Sequence, residues 1–182
     1  MNQFRIITGT ICCTLLFFGM AIWSSCDKSK TKYNNTTLIR PCDNVICLNG
    51  GSCKDGLCYC PQGFEGDKCQ TRWSDKFIGS YTAADECYTG TDIYYDVQVG
   101  AVADYAYKLK FYNLGTFCPT APINANINLE KTSFSIPLQN SCGNLYLSGS
   151  GNISGNFINV YLTARDSNAH TSSACSIVLS RK

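Results

Sequence analysis

Cysteine placement constrains this chain more than any other feature. Of the 13 cysteines, Cys12 and Cys13 sit in an early apolar run and Cys26 stands alone, while six fall between Cys42 and Cys69 and four between Cys87 and Cys175. Both later groups are even in number, so each can pair internally, and the pattern fits an oxidising compartment. Ahead of them, Met1–Arg5 carries a single basic side chain. An uncharged, largely apolar run follows from Ile6 to Trp23 and ends at Ser24 and Ser25, the layout of an export leader.

The small residues before Cys26 resemble the end of a bacterial lipoprotein signal peptide, whose lipobox precedes a cysteine that becomes the acylated N-terminus. Trp23 departs from that pattern by standing where the common lipobox has Leu. The resemblance implies that residues 1–25 are a signal peptide and that Cys26 is lipidated, with the lipid bilayer as its partner. Parity agrees, because a thioether-linked Cys26 leaves no odd thiol to misoxidise. Each buried acyl methylene contributes about 0.8 kcal/mol, so several chains on one residue give a durable anchor. Two other readings of the leader stay open: secretion with Cys26 as a free thiol, and an uncleaved anchor of 18 uncharged residues, close to the lower limit of about 17 for a spanning helix. Residues 26–41 then read as a tether, since Tyr33, Leu38 and Ile39 offer too little apolar surface to offset backbone ordering.

Between Pro41 and Cys69, a single residue separates Cys58 from Cys60, a turn lies at Asn49–Gly51, and a Gly63-Phe64-Glu65-Gly66 segment precedes the last cysteine. In this order the six cysteines resemble an epidermal growth factor-like module, residues 42–69. The resemblance implies the pairs Cys42 with Cys53, Cys47 with Cys58, and Cys60 with Cys69; spacing alone permits 15 connectivities. Crosslinks are needed because Val45, Ile46, Leu48, Leu57, Tyr59 and Phe64 are too few to close a conventional core. Asp55-Gly56 fits a type I′ hairpin turn, whose central positions need positive φ. Calcium-binding relatives carry acidic residues just before the first cysteine. Here Leu38, Ile39, Arg40 and Pro41 stand there, so no metal is expected, and Asp43 and Asn44 are read as turn formers.

Residues 71–182 have the texture of an all-β antiparallel domain. Eight strands are expected, at Lys76–Thr82, Asp92–Gly100, Tyr105–Tyr112, Ile123–Leu129, Thr132–Leu138, Asn144–Ser148, Phe157–Thr163 and Cys175–Leu179, separated by Gly, Asn, Asp and Ser. In Tyr105–Phe111 the alternation places Tyr105, Tyr107, Leu109 and Phe111 on a packed face and Ala106, Lys108 and Lys110 on a wet one. Gly149–Asn156 reads as a hairpin turn. The EGF-like segment, Lys76–Tyr81, Phe134–Gln139, the glycine-rich turn and a final cysteine-bearing strand together resemble uncharacterised lipoproteins of the Bacteroidota. That likeness spans nearly the whole mature chain and implies an architecture without an established activity. Phe77, Gly79 and Tyr81 also resemble the opening strand of lipocalin-like barrels. A small up-and-down barrel follows, which removes sheet edges, with a two-sheet sandwich as the alternative. Four cysteines allow 3 pairings; Cys87 with Cys175 and Cys118 with Cys142 are expected, since the first would tie the opening strands to the last.

Chemistry is sparse. His170 is the sole histidine, set in a polar loop without a spaced nucleophile and orienting acid. Asp85 and Glu86 are adjacent, which in a strand sends them to opposite faces. No catalytic residue and no cofactor are assigned, and a net charge of +2 without a basic stripe gives no case for nucleic acid. The reading is therefore a membrane-tethered extracytoplasmic binding or adhesion module, with a protein or glycan ligand. An accessory subunit of an outer-membrane assembly and a small-ligand carrier with a lipocalin-like cavity are the alternatives. The expected place is the outer membrane, lipid-anchored, facing the periplasm or the cell exterior.

Overall fold

Asp55 and Gly56 both adopt positive φ, 51° and 85°, and between them turn strand β1 (Ser52–Lys54) back on β2 (Leu57–Tyr59). The computed structural model describes residues 40–86, 93–118 and 120–182. Disulfides stand in for a core in the first part. Cys42 bonds Cys53, Cys47 bonds Cys58 and Cys60 bonds Cys69, while Ile46 and Leu57 remain exposed.

Strand β3 (Phe64–Glu65) pairs with β4 (Thr71–Arg72). A 3-10 turn at Trp73–Lys76 follows, with the Asp75 carboxylate accepting the Arg72 N–H at 3.1 Å. Strand pairing thus crosses residue 70, and Arg40–Lys182 forms a single compact unit.

Eight strands make up the rest: β5 (Gly79–Asp85), β6 (Ile93–Val102), β7 (Tyr105–Tyr112), β8 (Ile123–Ile127), β9 (Ser133–Cys142), β10 (Leu145–Ser154), β11 (Phe157–Asp166) and β12 (Thr171–Arg181). Each pairs antiparallel with the next, and β12 pairs with β5, so the sheet closes as an up-and-down barrel rather than a sandwich. The patterning suits that closure: β11 alternates without a break, with Ile158, Val160, Leu162 and Ala164 buried inside and Asn159, Tyr161 and Thr163 on the other face.

The interior is filled through its middle, and an open mouth of about 290 Å³ remains where β10 begins and β11 ends, lined by the inward-facing Leu145, Ala164, Thr171 and Ser173. Tyr81, Leu109, Phe111, Phe134, Leu147, Ile158, Ile177 and Leu179 have no exposed surface. Phe134 takes Phe77 edge-on at 5.8 Å between centroids and Phe111 at 5.2 Å. Small residues make the room for it: a side chain on Gly151 would strike the Phe134 ring and the Asn159 carbonyl.

Three expectations need correction. Lys76–Thr82 is not one strand, because Arg181 donates to the carbonyls of Lys76 and Ile78 and holds that stretch as a turn ahead of β5. Gly149–Asn156 is not a long turn. Strand β10 runs through Ser154, and only Gly155, at φ 58°, and Asn156 intervene before β11. The packed and wet faces of β7 also do not hold along its length. Leu109 and Phe111 are buried but Tyr105 is exposed, with the β6–β7 register shifting between Ala101 and Val102. Ala106 is buried because Gly63 closes on it.

Candidate functional site

Of the residues singled out from sequence, Cys26 and Cys87 lie outside the described residues. Cys175 is disulfide-bonded. Cys118 bonds Cys142 with a Cα–Cα distance of 5.9 Å, joining the segment after β7 to the end of β9. The barrel therefore has one end tied by this bond and another end met by the disulfide-rich segment.

At the second end, Trp73 anchors the junction. Its backbone N–H donates to the Gly63 carbonyl at 2.9 Å and its indole Nε1 donates to the Phe64 carbonyl at 3.2 Å, while the ring is buried with the barrel core. Arg72 donates to the Ala103 carbonyl at 2.6 Å. Glu65 accepts from Lys76 and from Lys131, each at 3.0 Å, and Lys131 also stands 5.5 Å from the centre of the Trp73 ring. The Lys76 hydrogen bond is the leading reason that the Glu65 carboxyl lies below its ordinary 4.5, with burial opposing and Lys131 adding to it. An open cleft of about 600 Å³ lies here, lined by Gln62, Phe64, Trp73, Leu129 and Lys131 among others.

At the Cys118–Cys142 end, Asp85 is buried and accepts the Tyr95 hydroxyl at 2.6 Å, and that hydroxyl accepts the Gly115 N–H at 2.9 Å. This carboxylate is held in a structural relay. Nearby, Leu138, Tyr146, Arg165, Ser167 and His170 line a cleft of about 390 Å³. Leu138 reaches it through a bulge, because Pro137 and Leu138 together face Ser148 where Ile136 pairs with Gly149 and Gln139 with Leu147. Polar groups at this cleft are engaged in holding their own loop. Ser167 donates to the Asn144 carbonyl, and the Asp166 carboxylate accepts the N–H groups of Ala169 and Asn168. Those two bonds hold Asp166 below the usual carboxylate range, so it caps its own loop.

The outer face of β10, β11 and β12 has a different character. Tyr161 is flanked by Ser150 and Ser176, Asn159 by Asn152 and Val178, and Phe157 by Ser154 and Ser180. None of these nine side chains is charged. Tyr161 is 60% exposed and Phe157 50%. Strand alternation foretells that these residues point outward, but only the closed topology sets the three ranks side by side.

Among the described residues no cluster of His, Cys, Asp or Glu is grouped to hold a metal ion. No protein-family model matches the chain. Among solved structures, a Bacteroides ovatus protein of unknown function is similar over 58% of this chain and 42% of its own length, at 12% sequence identity and a TM-score of 0.41. The present chain spans less than half of that protein, and so distant a likeness carries no function across.

Proposed function

We propose that this chain is a lipid-anchored, extracytoplasmic binding or adhesion module, built from an EGF-like segment at residues 42–69 docked on a barrel that offers its outer surface to a ligand. The observation that carries the reading is the filled barrel. With the middle of the interior occupied by its own side chains, from Tyr81 through Phe134 to Leu179, most of the surface left for recognition is external. Carriage of a small ligand inside the barrel is left only the open mouth of about 290 Å³ lined by Leu145, Ala164 and Ser173, at the bottom of the roughly 300–1,000 Å³ that a carrier cavity takes. The interleaved order of the Cys42–Cys53 and Cys47–Cys58 bonds, followed by Cys60–Cys69, supports the EGF-like reading. The leader ending at Ser24-Ser25-Cys26 supports anchoring in the outer membrane through an acylated Cys26.

Two measurements on cells producing the full chain test this. A palmitate analogue should label the wild type and not Cys26→Ala; a label that persists in the variant overturns the anchor. Producing cells should also be retained on surfaces coated with a mixture of extracellular proteins and glycans, beyond cells lacking the chain. Equal retention of both on every coating overturns the binding reading.

A further inference from the structure

Resting on the binding reading, we infer that the outer face of β10–β12 is a docking track for an extended, uncharged glycan chain running along β11. Phe157 and Tyr161 project from the same strand face four residues apart, which at about 3.3 Å per residue sets the two rings about 13 Å apart. Both are at least half exposed, 50% and 60%. An aromatic ring left in water has an apolar face to offer, and the C–H face of a sugar ring covers it while leaving the sugar hydroxyls free.

Between the two rings lies the Asn152–Asn159 cross-strand pair. Each amide offers two donors and an acceptor, which suits hydroxyl groups that both give and take a hydrogen bond. The serines on either side supply shorter groups of the same dual kind. Tyr, Ser and Asn are also the residues that recur in adaptable recognition surfaces.

Charge selects the class of ligand. The three ranks carry no ionic side chain: Arg165 stands four residues beyond Tyr161, opposite Tyr146, and at the other end Lys182, two residues past Ser180, is already paired with Asp96 at 2.6 Å. An acidic polymer would find no counter-charge along the track, and a charged protein partner would have its ions stripped of water without a partner. A neutral chain has no such penalty.

The test uses the full chain in detergent, with neutral β-1,4-linked glucan, xylan and mannan oligosaccharides as probes and oligogalacturonate as the acidic counterpart. At least one neutral probe should bind. Tyr161→Ala and Phe157→Ala should each weaken it about tenfold, the scale of truncating an aromatic anchor, while Tyr161→Phe, which keeps the ring, stays within about twofold. Unchanged melting temperatures in the variants separate lost contact from lost fold. Absence of binding to every neutral probe, with cell retention on protein coatings intact, overturns the glycan track and leaves the binding module standing. Binding of oligogalacturonate alone, lost in Arg165→Ala and kept in Tyr161→Ala, places the ligand in the end cleft and overturns the track. A dimer that Tyr161→Ala dissociates makes a second copy the occupant and overturns it as well.

Discussion

Gly63 closes on Ala106 so tightly that a Cβ added to the glycine would stand 2.9 Å from the Ala106 Cβ and 3.0 Å from the Tyr107 nitrogen. The φ of Gly63, 96°, is also one that side-chain-bearing residues rarely adopt. This contact, with Arg72 on Ala103 and Trp73 in the core, makes the disulfide-rich segment part of the barrel's surface rather than a bead on a string. Gly63→Val should therefore destabilise the junction by roughly 1–3 kcal/mol, the usual cost of overpacking. The readout is faster tryptic cleavage after Arg72 and Lys76 together with a lowered melting temperature. Wild-type resistance to trypsin in the variant would show that the two parts do not depend on this contact.

Acid should loosen the same junction. The Glu65 carboxyl is held below 4.5, first by the Lys76 hydrogen bond. A depressed folded value means that the bridge stabilises above the ordinary carboxylate value and loses its contribution as pH falls through the lowered one. Both lysines are more than one-third exposed, 37% and 36%, so solvent screening keeps the effect to about 1 kcal/mol or less. Hydrogen exchange of the Phe64–Trp73 amides, corrected for intrinsic rates, should rise between pH 5 and pH 3 in the wild type and start high with little pH response in Glu65→Gln. Parallel profiles in the two proteins would remove Glu65 from the account.

Base should open the barrel end at Tyr81. Its hydroxyl donates to the Phe77 carbonyl at 2.7 Å and accepts from Arg181 at 2.7 Å. Burial raises the Tyr81 pKa above 10.0, with Arg181 opposing. A raised folded value contributes stability that is complete below the ordinary tyrosine value and lost as pH climbs through the folded one. Melting temperature should fall above about pH 10 in the wild type and fall less in Tyr81→Phe, which has no proton to lose there. Arg181→Met should cost roughly 1–3 kcal/mol at neutral pH by leaving the Lys76 and Ile78 carbonyls short of a donor.

Arg181 also marks the limit of what the chain's order reveals. Eight β-segments are legible from alternation, and closure follows from the need to cover edges. The turn before β5 is not, because Phe77 and Ile78 carry strand-like side chains, while the guanidinium that pins this stretch arrives from 103 and 105 residues away. Ala106 is hidden for a similar reason: its cover, Gly63, belongs to a segment that reads as a separate module. Leu138 joins the Arg165–His170 cleft only through the bulge at Pro137, and a proline in a strand signals an irregularity without saying where the next side chain will point. The aromatic track is half legible, since the outward phase of Tyr161 and Phe157 can be read from β11 alone but their serine and asparagine neighbours come from strand register.

The glycines of β10 and the Gly155 turn after it separate two meanings that look alike in sequence. A glycine needed for a turn is fixed by its positive φ, as Gly155 is at 58° in open surroundings, whereas a glycine needed for space is fixed by the atoms against it. Gly151 is of the second kind, facing both the Phe134 ring and the Asn159 carbonyl across to β11. Gly151→Ala should lower stability by roughly 1–3 kcal/mol, as overpacking does. Adding Phe134→Leu should recover only part of that loss after its own cost is subtracted, because the smaller side chain relieves the ring contact and leaves the backbone carbonyl in place. A double-mutant cycle by denaturant unfolding measures the coupling. Complete recovery would put the constraint in the ring alone, and an unaffected Gly151→Ala would mean that β10 shifts freely against β11, contrary to the close strand approach on which the small filled barrel depends.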